Sequence, residues 1–474
     1  MRSFICTMID FGGKNSLTYW NHTSYDIHHI YRTIIHVKKM NIAIIGGGPA
    51  GCASAYFVRK YFPEAKVTIF EGASQLGGRT TSLRKEGWVL DTGAGFVTNF
   101  YPRLFSIAQE YGFADDIVEM NRISGLSREG KIAPLNVGST VSFLRFPFLS
   151  MWEKTRMAWW TGKMTWLRKK LDLASSTSLA EYDTMSIEEY ALSELTPNIY
   201  HSLIRPGIEP FWYFSCADVS RSLVMGLTAQ AAGARFYSVP RGIDIICAQM
   251  AKEAECKLEH TVVQIQEEKQ GYTIVSEHNG NNRQDFFDRV VVATTGTIAV
   301  QISKEVTLSS AVREFLESQT YAANIHICFR IPTQSSPPEA GSIFPCDSEK
   351  RLLAAISFHR AKQPHYDKEE ELVSIYLSDV GAKTYMNTSD EDLAQIAWKK
   401  AREYCSVLPE NADVFSVHRR KEAIPVHSVG RYKYAAEAQK ALKDSNIQFC
   451  GDYWASATIE GAIATAQDAI LRWT

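Results

Sequence analysis

The sequence predicts an α/β protein built around a mostly parallel β-sheet, and three adjoining segments support that prediction. Asn41–Ile45 is an apolar run without alternating polar residues, which is typical of a strand buried on both faces. After three glycines, Pro49–Tyr61 has the small and apolar residues of a helix that packs closely on a sheet. Lys66–Phe70 then predicts a second strand. Together these segments form a βαβ unit, whose crossover should be right-handed.

The turn between the first strand and the helix has the spacing of a phosphate-binding loop. It reads Gly46-Gly47-Gly48-Pro49-Ala50-Gly51 and fits G-x-G-x-x-G. Gly46 permits the tight turn, Gly48 leaves room for a pyrophosphate, and Gly51 lets the helix lie close to the strand. The helix N-terminus offers free N–H groups and a positive dipole to phosphates. Glu71, twenty residues after Gly51, can accept hydrogen bonds from a ribose diol.

This context favours a dinucleotide site over an ordinary glycine-rich turn. A lone G-x-G-x-x-G occurs in many α/β proteins, whereas here the motif follows a predicted strand and opens a predicted helix, with its acid in place. The motif by itself does not distinguish FAD from NAD.

The bulk composition excludes several other classes of protein. The chain has 474 residues, 45% hydrophobic and 22% charged, as in an ordinary globular protein of about two to four domains. The formal charge of −1 gives no electrostatic reason to expect nucleic acid as a partner. Nine scattered cysteines without a C-x-x-C pair predict neither a metal site nor a disulfide framework, and favour a reducing compartment such as the cytoplasm. No apolar run reaches the ~18–20 residues of a membrane span.

Residues 1–39 differ from the rest of the chain and do not enter the fold prediction. They contain four of the twelve histidines and no continuous apolar segment, unlike a signal peptide. They are also too poor in Arg and Ser for a transit peptide. Because Met40 directly precedes the first strand, we expect 1–39 to be either a disordered leader or an untranslated segment.

The remaining chain is predicted to alternate between helical and strand-rich stretches. A capping box at Ser186-Ile187-Glu188-Glu189 marks the start of one helix. The predicted order is a mainly helical stretch (101–236), short strands divided by turns (258–295), a helix (309–316), a strand (321–331), a mixed stretch to about 420, a C-terminal strand (447–451) and an Ala-rich helix from about Gly461.

A second glycine motif connects the sequence to a known superfamily. Gly77-Gly78-Arg79-Thr80 follows the ribose acid and resembles the second motif of the flavin superfamily that holds monoamine oxidases, protoporphyrinogen oxidases and phytoene-type desaturases. Two glycines let the backbone pass against a cofactor, and Arg79 can offer a guanidinium fork to a phosphate. The resemblance implies FAD as the cofactor, held in a Rossmann-like domain.

Further matches follow in the order of the superfamily. Residues 90–96 resemble a segment that runs near the isoalloxazine ring, and 240–242 resemble the return into the FAD-binding domain. Val262 matches the position whose backbone contacts the adenine. The resemblance assigns four residues to the isoalloxazine segment: Gly93, Ala94, Gly95 and Phe96.

The C-terminal matches complete the implied cofactor site. Phe449-Cys450-Gly451-Asp452 resembles the motif beside the pyrophosphate and ribitol. Glu460-Gly461-Ala462-Ile463 resembles the start of a helix that points at the flavin N1/C2=O edge, where a helix N-terminus stabilises negative charge. The family's Ser-Gly in this helix is Thr465-Ala466 here, which we expect to alter packing rather than abolish binding.

The FAD is predicted to be bound non-covalently. Covalent attachment in this superfamily uses a cysteine near the C-terminal motif, and Cys450 is the nearby candidate. Its position at the end of an apolar strand favours an inert buried thiol instead.

His326 is the candidate catalytic residue. Amine oxidases place a lysine near flavin N5, on a strand that resembles residues 321–331. Alternation puts Asn324, His326 and Cys328 on one face, and His326 falls near the lysine's place. The alternative is a structural histidine on a sheet, with the flavin N5 as the main reactive centre.

Two further features bear on the substrate and on a membrane surface. Many aromatic residues of the middle stretch suit an apolar or aromatic substrate, although they can equally form core.

Residues 141–171 combine seven Lys or Arg with four tryptophans and one acid, Glu153. A basic helix with tryptophans can lie in a bilayer interface, giving peripheral membrane contact; the alternative is a solvated helix whose aromatics pack inward.

The sequence therefore predicts an FAD-dependent oxidoreductase that takes a hydride from a C–H bond of an apolar small molecule, with O2 or another acceptor. Segments 203–210, 218–220 and 423–430 resemble the protoporphyrinogen-oxidase-like branch. The alternatives are a flavin amine oxidase that releases H2O2 and a non-catalytic escort protein of the same fold. We expect a discontinuous FAD-binding domain (40–100, 235–300 and 420–474) interleaved with an α+β substrate-binding domain (101–234 and 301–419).

Overall fold

A computed structural model gives the fold of residues 40–121, 123–128, 131–335, 340–346, 352–362 and 368–474; the predicted leader, 1–39, lies outside them. The strands are β1 (Asn41–Ile45), β2 (Lys66–Phe70), β3 (Ser82–Lys85), β4 (Trp88–Asp91), β5 (Val97–Thr98), β6 (Val118–Glu119), β7 (Ile123–Arg128), β8 (Lys131–Asn136), β9 (Phe236–Ser238), β10 (Glu255–Lys257), β11 (Thr261–Glu268), β12 (Gly271–His278), β13 (Asn281–Phe287), β14 (Arg289–Val292), β15 (Tyr321–Pro332), β16 (Ser342–Pro345), β17 (Leu353–Phe358), β18 (Glu370–Leu377), β19 (Asp413–Pro425) and β20 (Ile447–Phe449).

The α-helices of six residues or more are α1 (Pro49–Tyr61), α2 (Pro102–Tyr111), α3 (Thr140–Arg145), α4 (Met151–Trp166), α5 (Ile187–Glu194), α6 (Arg205–Trp212), α7 (Arg221–Ala231), α8 (Ile245–Met250), α9 (Gly296–Ile302), α10 (Ser310–Glu317), α11 (Asp379–Tyr385), α12 (Asp390–Tyr404), α13 (Arg431–Ala441) and α14 (Ile459–Leu471).

The predicted βαβ unit is confirmed and lies at the centre of a five-stranded parallel sheet. Its strand order is β10-β2-β1-β14-β20, so the first strand has neighbours on both sides. Ile44 aligns with Ile69 on one side and with Val291 on the other, and all three are fully buried. A strand covered on both faces gains from apolar residues at every position, which explains the continuous apolar run of β1.

Residues 101–236 are mainly helical, as predicted, but they also contribute a hairpin, which was not predicted, to a second, seven-stranded sheet. Its order is β19-β15-β18-β17-β16-β7-β8, and β7 and β8 form a hairpin within that stretch. β7 pairs in parallel with β16, so Ser124 aligns with Ser342. Because this partner strand lies more than two hundred residues away in the chain, the local pattern around β7 does not reveal it.

Helices follow the hairpin, as predicted, and their starts are stabilised by side chains. The capping box at Ser186 and Glu189 is formed, and a second one joins Ser150 to Glu153 at the start of α4. Trp160 and Met164 on the inner face of α4 are fully buried in the core of this region. The helices therefore enclose a hydrophobic core of their own beside the seven-stranded sheet.

The segments predicted to form the FAD-binding domain supply all five strands of the parallel sheet. β1 and β2 come from 40–100, β10 and β14 from 235–300, and β20 from 420–474. Residues Met40–Thr474 nevertheless cluster as one compact unit, so the division into two domains stays a prediction.

Three buried histidines make the fold sensitive to acid. His326, His359 and His427 are almost completely inaccessible, and burial lowers the pKa of each below its ordinary value, to about 4 for His359. In the unfolded chain a histidine titrates near pH 6.5. The stability from keeping these rings neutral is therefore present above about pH 6.5 and is lost as the pH falls towards their folded pKa values.

Replacing His359 with Gln should make unfolding less dependent on pH. Between pH 7 and pH 5 we expect the unfolding free energy of the wild type to fall by about 2 kcal/mol more than that of His359→Gln, because one fewer proton is taken up on unfolding. Urea unfolding at several pH values measures this, with the exposed His201→Gln as a control. Parallel curves for the wild type and His359→Gln would contradict the prediction.

Candidate cofactor and substrate site

A cavity of about 1410 Å³ joins the predicted cofactor motifs to the helical region. The turn between β1 and α1 forms part of its wall at one end, and α4, α6 and α7 form part of its wall at the other. Ligand cavities usually measure about 300–1,000 Å³. This cavity therefore has room for a large cofactor together with a second molecule.

Two glycines of the first motif have different roles in the structure. A Cβ on Gly51 would lie 1.8 Å from the carbonyl oxygen of Gly46, so close packing of α1 on β1 requires glycine there. A Cβ on Gly48 would project into the cavity and meet no protein atom closer than the oxygen of Gly77, at 4.0 Å. Protein packing explains Gly51 but not Gly48, whose missing side chain leaves space for a ligand.

The start of α1 and Glu71 provide the groups that a bound dinucleotide needs. Gly48 caps α1 without a side-chain hydrogen bond, so the first N–H groups of this helix meet the cavity uncapped. The carboxylate of Glu71 accepts hydrogen bonds from the N–H of Gly47 at 2.7 Å and of Ala73 at 2.8 Å. Each carboxylate oxygen has a second lone pair, so Glu71 can still accept from a ribose diol. These features fit a dinucleotide cofactor.

Arg79 has a different partner from the one predicted. Its two terminal nitrogens donate to the carboxylate of Asp452 at 2.9 and 2.8 Å, and one of them also donates to the carbonyl of Ala423. The fork expected for a phosphate is therefore occupied by the C-terminal motif. This bidentate pair joins the two ends of the described chain at the cavity wall.

The C-terminal helix begins two residues before the predicted start. Thr458 is the N-cap of α14, and its hydroxyl accepts from the N–H of Gly461 at 2.9 Å. The departure at Thr465 has a clear role, because its hydroxyl bonds both the N–H and the carbonyl of Gly451 at 3.1 Å. The altered residue thus holds the C-terminal motif in place.

Cys450 faces away from the cavity. Its sulfur is completely buried and lies 3.5 Å from the hydroxyl of Ser54 on α1. Burial raises the pKa of this thiol to about 12, so it lacks the thiolate character of a nucleophile.

Most of the predicted cofactor residues form part of one cavity wall. Those that line it are Gly46, Gly48, Pro49, Ala50, Glu71, Gly78, Arg79, Thr80, Gly93, Ala94, Gly95, Phe96, Val262, Gly451, Asp452 and Ala462. Gly51, Gly77, Gly461 and Ile463 are not part of the wall. Gly461 packs inward, since a Cβ there would lie 2.2 Å from the carbonyl oxygen of Ser456.

His326 does not reach the cavity, in contrast to the prediction that it faces the flavin. Its ring is completely buried, stacks on Tyr376 at 4.5 Å between ring centroids, and bonds the hydroxyl of Ser374 at 2.8 Å. Tyr376 and Asn324 line the cavity instead. Alternation along β15 predicted the face of the sheet on which His326 lies. On that face, Tyr376 of the neighbouring strand β18 lies directly beside His326 and lines the cavity in its place.

Four residues at the isoalloxazine segment were not predicted from the sequence. Lys362, Arg420, Tyr213 and Tyr376 all line the cavity, and Lys362 pairs with Asp91 at 2.9 Å. They come from separate elements and share no local motif. Tyr213 has a positive φ of 66°, which costs about 1–3 kcal/mol in a non-glycine residue and is typical of functional sites. That unusual conformation is visible only in the structure.

Six apolar residues of the cavity wall belong to or pack on the core of the helical region, and we call the space that they line the apolar chamber: Leu135, Phe143, Met157, Leu203, Phe211 and Leu227. Phe211 contacts Phe96 of the isoalloxazine segment, with ring centroids 5.8 Å apart. The chamber is therefore continuous with the segment that the resemblance places beside the flavin ring.

Comparison with known proteins identifies the family. Residues 60–469 match the family described as flavin containing amine oxidoreductase. The chain belongs to this family. It is accordingly an FAD-dependent oxidoreductase, and the predicted superfamily, fold class and cofactor are confirmed.

Individual relatives cover almost the whole chain at low identity. Coproporphyrinogen III oxidase of Bacillus subtilis (strain 168) is 20% identical over 460 residues, which are 89% of this chain and 94% of that protein. A CLA-producing fatty acid isomerase from P. acnes has a TM-score of 0.68 at 15% identity, covering 92% of this chain and 98% of the other. Cyclohexylamine oxidase from Brevibacterium oxydans IH-35A has a TM-score of 0.67 at 14% identity, covering 91% and 98%. The two solved structures establish the shared fold.

Replacing Gly48 with Ala should weaken FAD binding without impairing folding. The added methyl group meets no protein atom but occupies the space predicted for the pyrophosphate. We expect at least a tenfold higher Kd for FAD, by titration of apoprotein, with an unchanged circular dichroism spectrum. Gly162→Ala, which also adds a methyl group in open space but within α4, is the control and should keep its FAD. An unchanged Kd for Gly48→Ala would argue against this placement of the cofactor.

Proposed function

We propose that this oxidoreductase, related to porphyrinogen oxidases, oxidises an apolar small molecule of the tetrapyrrole or polyene class and binds FAD non-covalently. The turn from Gly46 to Gly51 and the carboxylate of Glu71 would hold FAD, which would supply the acceptor for a hydride equivalent from a substrate C–H bond and the route for its electrons to O2 or another acceptor. The residues of the chain then position the substrate, exclude water and set the electrostatic field. The observation that supports this proposal is the apolar chamber that meets the isoalloxazine segment at Phe96 and Phe211.

The residues that line the chamber suit a large apolar ring or chain. Phe211 is in contact with Phe344 as well as Phe96, so aromatic faces lie along the path from the ring segment into the chamber. Aromatic and aliphatic walls favour an apolar substrate because its burial removes that surface from water. Coproporphyrinogen III oxidase of Bacillus subtilis, by its name, acts on a tetrapyrrole, which supports the same class here.

An amine substrate is the second candidate, and the family name favours it. One observation weighs against it. The cation Arg420 lines the cavity at the isoalloxazine segment, where it would repel an ammonium group. Tyr213 and Tyr376 support an amine substrate, because both line the cavity as nearly parallel rings with centroids 6.4 Å apart, and aromatic faces attract a cationic amine.

The surface of α4 supports a peripheral contact with membranes. Trp152, Trp159 and Trp166, which we call the tryptophan surface, are 61%, 61% and 83% exposed. Their spacing of seven residues puts them on one stripe of the helix. Only Trp160 packs inward, so the alternative in which all the aromatics form core is wrong for three of the four.

The opposite side of α4 faces the cavity. Met157, Thr161 and Thr165 line it, so this helix separates the substrate chamber from the tryptophan surface. The basic residues Arg145, Arg168, Lys169 and Lys170 are exposed nearby in the chain, while Glu153 is buried in its capping box. Exposed tryptophans with basic neighbours suit an anionic lipid surface. We therefore propose that α4 rests on a membrane that supplies the apolar substrate. Within the described residues, none of the helices is long and apolar enough to cross a bilayer.

Anaerobic mixing of the FAD-loaded enzyme with candidate substrates tests the proposed substrate class. We expect a tetrapyrrole such as a porphyrinogen, or a polyene, to bleach the flavin absorbance, and a panel of primary amines to leave it unchanged. Gly207→Phe, which fills open space in the chamber, should slow bleaching at least tenfold while the FAD content stays the same. Bleaching by amines, with H2O2 released on admission of air, would instead support the amine oxidase candidate.

Liposome flotation tests the membrane contact. The wild type should float with vesicles rich in phosphatidylserine and less with neutral phosphatidylcholine vesicles. The triple change Trp152→Ser, Trp159→Ser and Trp166→Ser should reduce flotation at least fivefold, because it removes the exposed aromatic area. The change Val380→Ser with Tyr434→Ser, at exposed apolar positions elsewhere, is the matched control. If the wild type is absent from the floated fraction, the proposed membrane contact is wrong.

A further inference from the structure

Arg420 is a cation of the cavity wall that is held by neutral groups. One terminal nitrogen donates to the carbonyl of Thr92, and the other donates to the hydroxyls of Thr92 at 3.1 Å and Thr81 at 3.3 Å. The side chain extends from β19 and lines the cavity. Within the described residues, no carboxylate forms an ion pair with Arg420.

The other two cations of the cavity wall are paired with acids. Arg79 is joined to Asp452 by two hydrogen bonds, and Lys362 is joined to Asp91 at 2.9 Å. The charges of these two pairs largely cancel at a distance. Arg420 is different, so its positive charge acts on the cavity without a neighbouring carboxylate to offset it.

Arg420 is half-buried, which makes this arrangement unfavourable for the protein alone. Desolvation lowers the pKa of Arg420, and the nearby cation Arg79 lowers it further, but a guanidinium stays charged in proteins. A buried charge without an opposite charge destabilises a fold unless a ligand or several hydrogen bonds offset it. A partner that brings negative charge into the cavity would compensate for Arg420.

The two threonines indicate which partner that is. Thr81 directly follows the Gly77–Thr80 motif, and Thr92 lies within the segment 90–96 that the resemblance places beside the isoalloxazine ring. Both terminal nitrogens of Arg420 already donate to these segments. These bonds fix the guanidinium against the two segments and place its positive charge at the cavity wall.

We propose that Arg420 is a positioning residue that holds the Thr81 and Thr92 segments at the flavin ring and supplies a fixed positive charge that favours the reduced, anionic cofactor. Flavin gains negative charge on reduction, so a preorganised cation beside the ring makes reduction more favourable. This role depends on bound FAD but not on the identity of the substrate. It adds a side-chain charge to the helix N-terminus of α14, which reaches the same cavity at Thr458.

The midpoint potential of the FAD-loaded enzyme tests this role. In Arg420→Gln, which keeps a hydrogen-bond donor but loses the charge, the equilibrium constant for flavin reduction should fall at least tenfold. For a two-electron couple that fall is about 30 mV towards lower potential. Arg420→Lys restores the charge and should return the constant to within about threefold of the wild type. A change in packing alone would not be reversed by restoring charge.

Two further variants separate charge from structure. Arg419→Met is the matched control, because the neighbouring guanidinium of Arg419 pairs with Asp390 and does not line the cavity. Its potential should equal that of the wild type. Thr81→Asp keeps Arg420 but places a carboxylate against it, and should also lower the constant at least tenfold. The proposal is wrong if Arg420→Gln or Thr81→Asp binds FAD and has the midpoint potential of the wild type. If Arg420→Gln does not fold, the potential of Thr81→Asp is the test.

Discussion

Arg79 and Asp452 lie 373 residues apart in the chain, and their paired hydrogen bonds close the cofactor end of the cavity. Removing one partner of this partly buried ion pair should destabilise the junction, because the other charge then stays partly desolvated without compensation. Thr465 reinforces the same junction through the backbone of Gly451, and Cys450 and Ser54 bring β20 against α1. The cofactor site therefore exists only when the C-terminal segment has joined the first βαβ unit.

The cations around the cavity differ in whether an acid neutralises them, and this difference determines the electrostatic field inside the site. Paired charges near Arg79 and Lys362 stabilise the wall and add little net field. Among the described residues, the charge of Arg420 is offset by threonine oxygens and by no ion-paired carboxylate, and Arg420 lines the cavity. A site with an excess of positive charge beside aromatic walls suits a cofactor that becomes anionic and a substrate with a large apolar framework.

Helix α4 connects this chamber with the outside of the molecule. Its inner face combines the buried Trp160 with cavity-lining residues such as Met157, while its outer face exposes three tryptophans. The exposure of large aromatic side chains to water is unfavourable. Covering the three tryptophans of this stripe with another apolar surface would therefore stabilise the protein. Helix α4 therefore separates the chamber that would bind the substrate from the tryptophan surface that would contact the membrane.

The sequence by itself determined the elements whose signals are local. The apolar run of β1, the glycine spacing of the turn after it and the acid at Glu71 each follow from the packing or ligand contacts of a short segment, and each predicted element was found. The capping box at Ser186 is equally local. Motif resemblance extended this success to the C-terminal end, because motifs keep their spacing even where overall identity is low.

Only the tertiary structure decided which groups meet across the chain. The hairpin of β7 and β8 depends on the distant strand β16, and the fork of Arg79 was taken by Asp452 rather than left for a phosphate. His326 has the predicted strand face but is covered by Tyr376 from the next strand. Arg420 carries no motif at all, because its significance comes from the absence of an acid within reach among the described residues. Such facts depend on three-dimensional neighbours, and a local pattern contains no information about them.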